Sequence, residues 1–126
     1  MRIYTKLFEF IDEKKFIIDN ENGIFKLFLG DTLVARSYFY IEQADELFNQ
    51  KYVGIFKVET NIAYRGKGYM RYLLEQIFNY VKNEFSIDYI LLNVYKDNKN
   101  ALNLYFKVGF EIYKDFDEYF TLIKNI

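Results

Sequence analysis

The chain of 126 residues contains no cysteine, no histidine, no proline and no tryptophan. The first two absences restrict its chemistry most. Without thiols there is no disulfide and no cysteine nucleophile. Without imidazole there is no histidine general base, and most zinc and haem sites are excluded, so no metal is expected. Any reaction has to run on carboxylates, phenols, amines, hydroxyls, amides and backbone groups. Charge of one sign is lacking too: 17 basic against 18 acidic residues leave a formal net charge of −1. Nucleic-acid binders usually carry a strongly basic footprint, so no nucleic-acid partner is expected. No apolar run reaches the length of a membrane span, and MRIYTKLFEFIDEKK carries charges inside its apolar pattern, unlike a secretory leader. A cytoplasmic protein with no membrane partner is the expectation, although missing cysteine suits export equally well.

What is present is apolar and aromatic. Hydrophobic residues make up 52% and aromatic ones 21%, ample for one packed core in a chain of this length. No linker, repeat or low-complexity tract interrupts the pattern, and residues 1–126 read as a single domain.

The first half reads as extended. RIYTKLFEFI (2–11), KKFIID (14–19) and GIFKLFLGDTLVARSYFYI (23–41) are rich in β-branched and aromatic residues, with Gly30–Asp31 as a hairpin turn. EQADELFNQ (42–50) is the one helical candidate there, and KYVGIFKVETN (51–61) reads as another strand. After Gly68 the period changes. Met70, Leu73, Leu74, Ile77, Phe78 and Val81 recur at steps of three and four, which predicts an amphipathic helix of about four turns. SIDYILLNVY (86–95) reads as a strand buried on both faces. Asp97 or Asn98 can cap a second helix carrying Ala101, Leu104, Tyr105 and Val108 on one face, and Gly109 can end it. The tail reads as two strands around a turn at Asp115–Asp117.

Six glycines serve the whole chain, and two of them stand in YRGKGYM (64–70), immediately before the long helix. Glycine at a helix start costs conformational entropy. One offsetting gain is close approach of a phosphate to bare N–H groups at a helix N-terminus, where the helix dipole also favours an anion. A surface turn that happens to contain glycine is the alternative. The context of strand, glycine turn, helix and buried strand suggests a crossover unit with the turn at the C-terminal edge of its strand, where ligands commonly bind.

These elements resemble the GNAT superfamily of acyl-CoA-dependent N-acyltransferases. In that family a strand is followed by an Arg/Gln-x-x-Gly-x-Gly/Ala turn that opens a long helix. A second strand follows, then Asn-x-x-Ala, then a short helix ending in Tyr-x-x-x-Gly-Phe. Here the same order reads Arg65-Gly66-Lys67-Gly68-Tyr69-Met70, Asn98-Lys99-Asn100-Ala101 and Tyr105-Phe106-Lys107-Val108-Gly109-Phe110. The resemblance covers residues 52–126. It implies an α/β (α+β) fold with a mixed, splayed sheet and few helices. The family's helix pair between its first strands is reduced or missing here, leaving the acceptor side open or closed by a second subunit in a homodimer.

The resemblance also implies roles. Acetyl-CoA would be the co-substrate and an amine, on a small molecule or on a protein or peptide, the acceptor. Backbone N–H groups from Gly66 to Met70 would cradle the diphosphate, with Arg65 and Lys67 adding positive charge. No Asp or Glu occurs between residues 60 and 74, which suits an anion. Val58, Glu59 and Thr60 would bond the pantetheine arm through their backbone, and Asn98 would contact the arm as well as, or instead of, capping its helix. Tyr105 would protonate the departing thiolate, a task that suits a phenol with a pKa near 10; a core tyrosine is the alternative. The acceptor's proton would go to a carboxylate, Glu59 being the nearest, or to water. Tyr38, Phe39 and Tyr40 would line an acceptor pocket, form a dimer interface or simply pack. The same fold could instead serve as a non-catalytic CoA-binding sensor or interaction module. An aromatic partner-binding protein without CoA is a third reading.

Overall fold

Residues 13–126 are described by the computed structural model, and the strand expected at 2–11 lies outside them. Among the described residues the chain forms strands β1 (Lys14–Asp19), β2 (Ile24–Leu29), β3 (Thr32–Glu42) and β4 (Tyr52–Thr60). Helix α1 (Tyr69–Tyr80), strand β5 (Tyr89–Tyr95), helix α2 (Lys99–Lys107) and strands β6 (Glu111–Asp115) and β7 (Tyr119–Asn125) follow. The seven strands make one sheet in the order β1-β2-β3-β4-β5-β7-β6. All neighbours are antiparallel except β4 and β5, which the α1 crossover makes parallel.

The expected missing helix pair is explained at residues 20–23, a turn that joins β1 directly to β2. The Asp19 carboxylate accepts hydrogen bonds from the backbone and side chain of Asn22, and Gly23 takes φ +67°. The Gly30–Asp31 turn joins β2 to β3 as expected, with Gly30 at φ +56°.

The helix expected at 42–50 does not form. β3 runs on to Glu42, and the following segment folds around Asp45. Its N–H donates to the Phe48 carbonyl at 2.8 Å, and its carboxylate accepts from the Phe48 N–H at 2.9 Å and from the Tyr52 hydroxyl at 2.8 Å. A short acidic side chain that bonds nearby backbone competes with the helix ladder. These bonds hold the Asp45 pKa below its usual value, the Phe48 N–H contributing most and the Tyr52 hydroxyl next.

The sheet's inner face packs against α1. Leu73, Leu74 and Ile77 are wholly buried there with Phe25, Val53 and Ile90, each such aliphatic side chain contributing about 1.5–3 kcal/mol. The apolar period after Gly68 therefore marks the buried stripe. Past Tyr80 the last turn widens to π geometry over Val81–Phe85 and ends at Ser86, φ +55°. On the outer face a smaller cluster of Phe48, Tyr52 and Leu91 lies under the 43–51 segment. No helix among the described residues is long and apolar enough to cross a membrane.

Candidate active site

β4 and β5 pair only at Val53–Ile90 and Gly54–Leu91. Beyond that point β4 continues to Thr60 on β3, and β5 continues to Tyr95 on β7, without pairing each other. The sheet forks. Between its arms and the two helices lies a cleft of about 510 Å³, with Val58, Thr60, Gly66, Gly68, Met70 and Tyr105 on its walls.

The β4 arm owes its orientation to one residue. The two steps from Arg36 to Tyr38 on β3 match three steps from Glu59 to Phe56 on β4, so β4 carries a bulge, and Lys57 sits there at φ +48°. A bulge shifts the two-residue alternation by one. Before it, Val53 and Ile55 face the inner core; after it, Val58 and Thr60 do. Glu59 is thereby turned out of the cleft. Its carboxylate accepts from Arg36 Nη2 at 3.0 Å on the exposed outer face. An unbulged strand would have aimed Glu59 inward.

The glycine turn forms the cleft's other end. Gly66 and Gly68 have φ +74° and +84°, the left-handed region that side chains disfavour, and a Cβ on either would meet nothing within 4 Å. The glycines are required by backbone conformation beside open space, not by crowding within the chain. Gly68 is the N-cap of α1 and provides no side-chain cap, and no acidic residue lies in the first turn. The dipole's positive end at the start of α1 thus meets neither a capping side chain nor a first-turn carboxylate. Arg65 lines the cleft while its Nε donates to the Thr60 carbonyl at 3.1 Å. Tyr69 lines it as well, its ring edge-on to Tyr64 at 6.1 Å. Lys67 is not on the cleft wall; its ammonium lies 5.7 Å above the Tyr64 ring. Met70 stands where the resembling motif has Gly or Ala. It is buried in the core cluster and borders the cleft.

α2 supplies the third wall. Asn98 is its N-cap, accepting from the Ala101 N–H at 3.3 Å, and is not on the cleft wall. Its neighbour Asn100 is, together with Ala101 and Leu104. Tyr105 is 6% exposed, with its ring edge-on to Phe110 at 5.7 Å. Its hydroxyl has no hydrogen-bond partner among the described residues and opens on the cleft. Burial pushes its pKa up to about 12, which keeps the phenol protonated. Gly109, φ +100°, turns the chain out of α2 as expected.

Of the residues singled out from sequence, the structure gathers Val58, Thr60, Arg65, Gly66, Gly68, Tyr69, Met70 and Tyr105 on one cleft. It leaves the side chains of Glu59, Lys67 and Asn98 off its wall. Tyr64, Arg71 and Asn100 were missed. They flank the motifs, and only the cleft's shape selects them. Lys57 was missed as well, because nothing marks a lysine as the bulged residue. Tyr38 and Tyr40 face outward, while Phe39 stacks in the core on Phe25 at 4.2 Å.

Solved structures share this architecture. PH1933 from Pyrococcus horikoshii OT3 superposes with a TM-score of 0.73 at 23% identity, covering 99% of this chain and 73% of that one. The Campylobacter jejuni N-acetyltransferase PseH gives 0.67 at 18% identity, covering 98% and 75%. The PaiA N-acetyltransferase of Thermoplasma acidophilum, solved with coenzyme A, gives 0.70 at 18% identity, covering 82% and 60%. At these identities the likeness establishes the fold. No curated protein matches the chain significantly. The model of the acetyltransferase (GNAT) family matches residues 2–110, most of the sequence, and the chain belongs to that family.

Proposed function

We propose that residues 1–126 form one catalytic domain that moves an acetyl group from acetyl-CoA directly to an amine. The observation that carries this reading is the unpartnered Tyr105 phenol at one end of a cleft that begins at an uncapped, glycine-built helix N-terminus. The family gives the reaction class. PseH and Arabidopsis thaliana NAA60, both similar in fold, were solved with acetyl-CoA.

In this reading the diphosphate sits on the amides of Gly66–Met70, and the pantetheine arm runs along the unpaired edge of β4 near Val58 and Thr60. The thioester lies at the fork beside Tyr105. A neutral amine entering from the outer face attacks the carbonyl, and strand-end N–H groups stabilise the oxyanion. The C–S bond breaks and the thiolate departs against the Tyr105 hydroxyl. A phenol at about 12 is a weaker acid than a thiol at about 8.5. Full transfer is therefore uphill by roughly 5 kcal/mol for a solvated thiolate. Burial of the thiolate beside the phenol raises its basicity as well and narrows that gap. Tyr105 acts first as hydrogen-bond donor and then as acid. The acceptor's proton leaves on the outer side, where Glu59 and water are available.

The replacement of the helix pair by the 20–23 turn favours one second reading, a CoA-binding module without an acceptor wall. Native mass spectrometry for bound CoA, followed by acetyl transfer to an amine panel, separates the two. Binding with turnover is expected. Binding without turnover on any amine would favour the module, and absence of binding would sink both.

A further inference from the structure

An amine that attacks the thioester needs an acceptor for its N–H. Glu59 lies five residues past Gly54, and its carboxylate is held by Arg36 at 3.0 Å. Given the transferase reading, on which this inference rests, a different side chain stands nearer the fork. Tyr40 pairs with Gly54 across the β3–β4 ladder, and Gly54 is the last β4 residue that also pairs with β5. A Cβ on Gly54 would overlap both the Tyr40 ring and its hydroxyl oxygen, and no left-handed φ calls for glycine there. The residue is glycine to admit the ring. The hydroxyl oxygen therefore lies within about 4 Å of the Gly54 Cα, allowing one bond length from Cα to the missing Cβ. It stands at the root of the fork on the outer side, and Tyr40 is 44% exposed there.

The direction of the Tyr40 proton follows from its neighbours. An ionised carboxylate only accepts, so the buried Tyr52 hydroxyl, 2.8 Å from Asp45 Oδ2, has spent its one proton on that bond. Toward any other neighbour the Tyr52 oxygen is an acceptor. That neighbour is Tyr40, whose ring meets Tyr52 edge-on at 6.2 Å and whose hydroxyl is its second hydrogen-bonding contact. Burial first, then the Asp45 bond and then Tyr40 push the Tyr52 pKa up, which keeps that phenol protonated. Asp45 is exposed and also accepts from the Phe48 N–H, which keeps it ionised. Tyr40 thus donates to Tyr52 and retains an oxygen lone pair for a donor at the fork. The hydrogen bonds run from the fork through a buried phenol to a surface carboxylate.

We propose that Tyr40 is a catalytic residue of the transfer, its phenolic oxygen accepting the N–H of the attacking amine, and that Tyr52 and Asp45 are positioning residues that aim this oxygen at the fork. As the C–N bond forms, the nitrogen becomes positive and its hydrogen bond to Tyr40 strengthens, an interaction gained in the transition state. The nitrogen's proton then passes to the Tyr40 oxygen while the Tyr40 proton moves to Tyr52 and the Tyr52 proton to the Asp45 carboxylate. Neither phenol ionises. Asp45, held below the usual carboxylate value by the Phe48 N–H and the Tyr52 hydroxyl, is a weak base and releases the proton to water.

The test is acetyl transfer to butylamine, phenethylamine and alanine amide by the full chain, with acetyl-CoA binding followed by thermal shift. Tyr40→Phe keeps the ring over Gly54 and removes only the oxygen. It should lower kcat about tenfold, as for one hydrogen bond lost in the transition state, with KM and the acetyl-CoA shift unchanged. Tyr52→Phe and Asp45→Asn should lower kcat in the same direction by less. In mixtures of light and heavy water the wild-type rate should fall along a curve, since several protons move together; in Tyr52→Phe it should fall along a straight line. An unchanged kcat in Tyr40→Phe, a loss expressed only in KM, or the same straight line for wild type and Tyr52→Phe would overturn the proposal while leaving the transferase reading intact. No thermal shift and no transfer to any of the amines would overturn that reading and the proposal with it.

Discussion

Phe56 and Val58 stand two residues apart on one strand, a spacing that normally puts side chains on the same face. Here they face opposite sides of the sheet, because Lys57 is a bulge between them. The inner side, where Val58 points, is closed by α1 and α2 and holds the core and the cleft. Among the described residues the outer side, where Phe56 points, is covered by the 43–51 segment around Phe48, Tyr52 and Leu91. One side offers an enclosed cleft, the other exposed rings. The contrast explains how a chain whose β1 and β2 are joined by a turn keeps a well-formed cleft: the cleft is built from the fork, the glycine turn and α2, none of which needs a helix pair between those strands.

The largest expected effect is on the enclosed side. Gly68→Glu places a side chain on a φ of +84° and a carboxylate at the α1 N-terminus. CoA affinity measured by calorimetry should fall by about a hundredfold or more, as for a like-charge contact of several kcal/mol; unchanged affinity would remove the phosphate turn. Tyr105→Phe should lower kcat by about a hundredfold with CoA affinity nearly unaltered. Because burial moves this phenol from 10 to about 12, kcat/KM should show no loss from its ionisation below pH 10 and should rise with pH as the amine deprotonates. An alkaline fall near pH 9 that disappears in Tyr105→Phe would contradict the raised pKa while keeping the acid role.

A paired substitution tests the two faces directly. Val58→Asp should destabilise by about 2–3 kcal/mol, since it puts an unpaired charge against the core. Phe56→Ser, on the open face, should cost about 1 kcal/mol or less in the same urea titration. Equal costs would mean the faces are not as different as the bulge makes them. The smallest effect is expected at the bulge. Lys57→Gly relieves the left-handed backbone and forfeits the contact with Tyr38, for a net gain of no more than about 1 kcal/mol.

Much of this was legible in the residues. The period of three and four after Gly68 names the buried stripe of α1, and Asn98 and Gly109 punctuate α2. The ordered motifs contain Tyr105 and the glycine turn, which line one cleft. The failures have physical causes. EQADELFNQ has helical composition, yet the Asp45 carboxylate is drawn to the Phe48 N–H and the Tyr52 hydroxyl, and the second of these partners is set by the sheet. The sequence puts Glu59 near the end of β4 but gives it no face, because alternation yields a parity only once every bulge is counted.

The order of apolar, glycine and capping residues by itself determined the helices, most of the strands and the turn that would bind phosphate, because those features depend on neighbours within a few residues. The tertiary structure alone decided where β4 and β5 part, which β4 side chains enter the cleft, and which face stays open. Those outcomes depend on register between strands distant in sequence, and a single left-handed lysine reverses the parity.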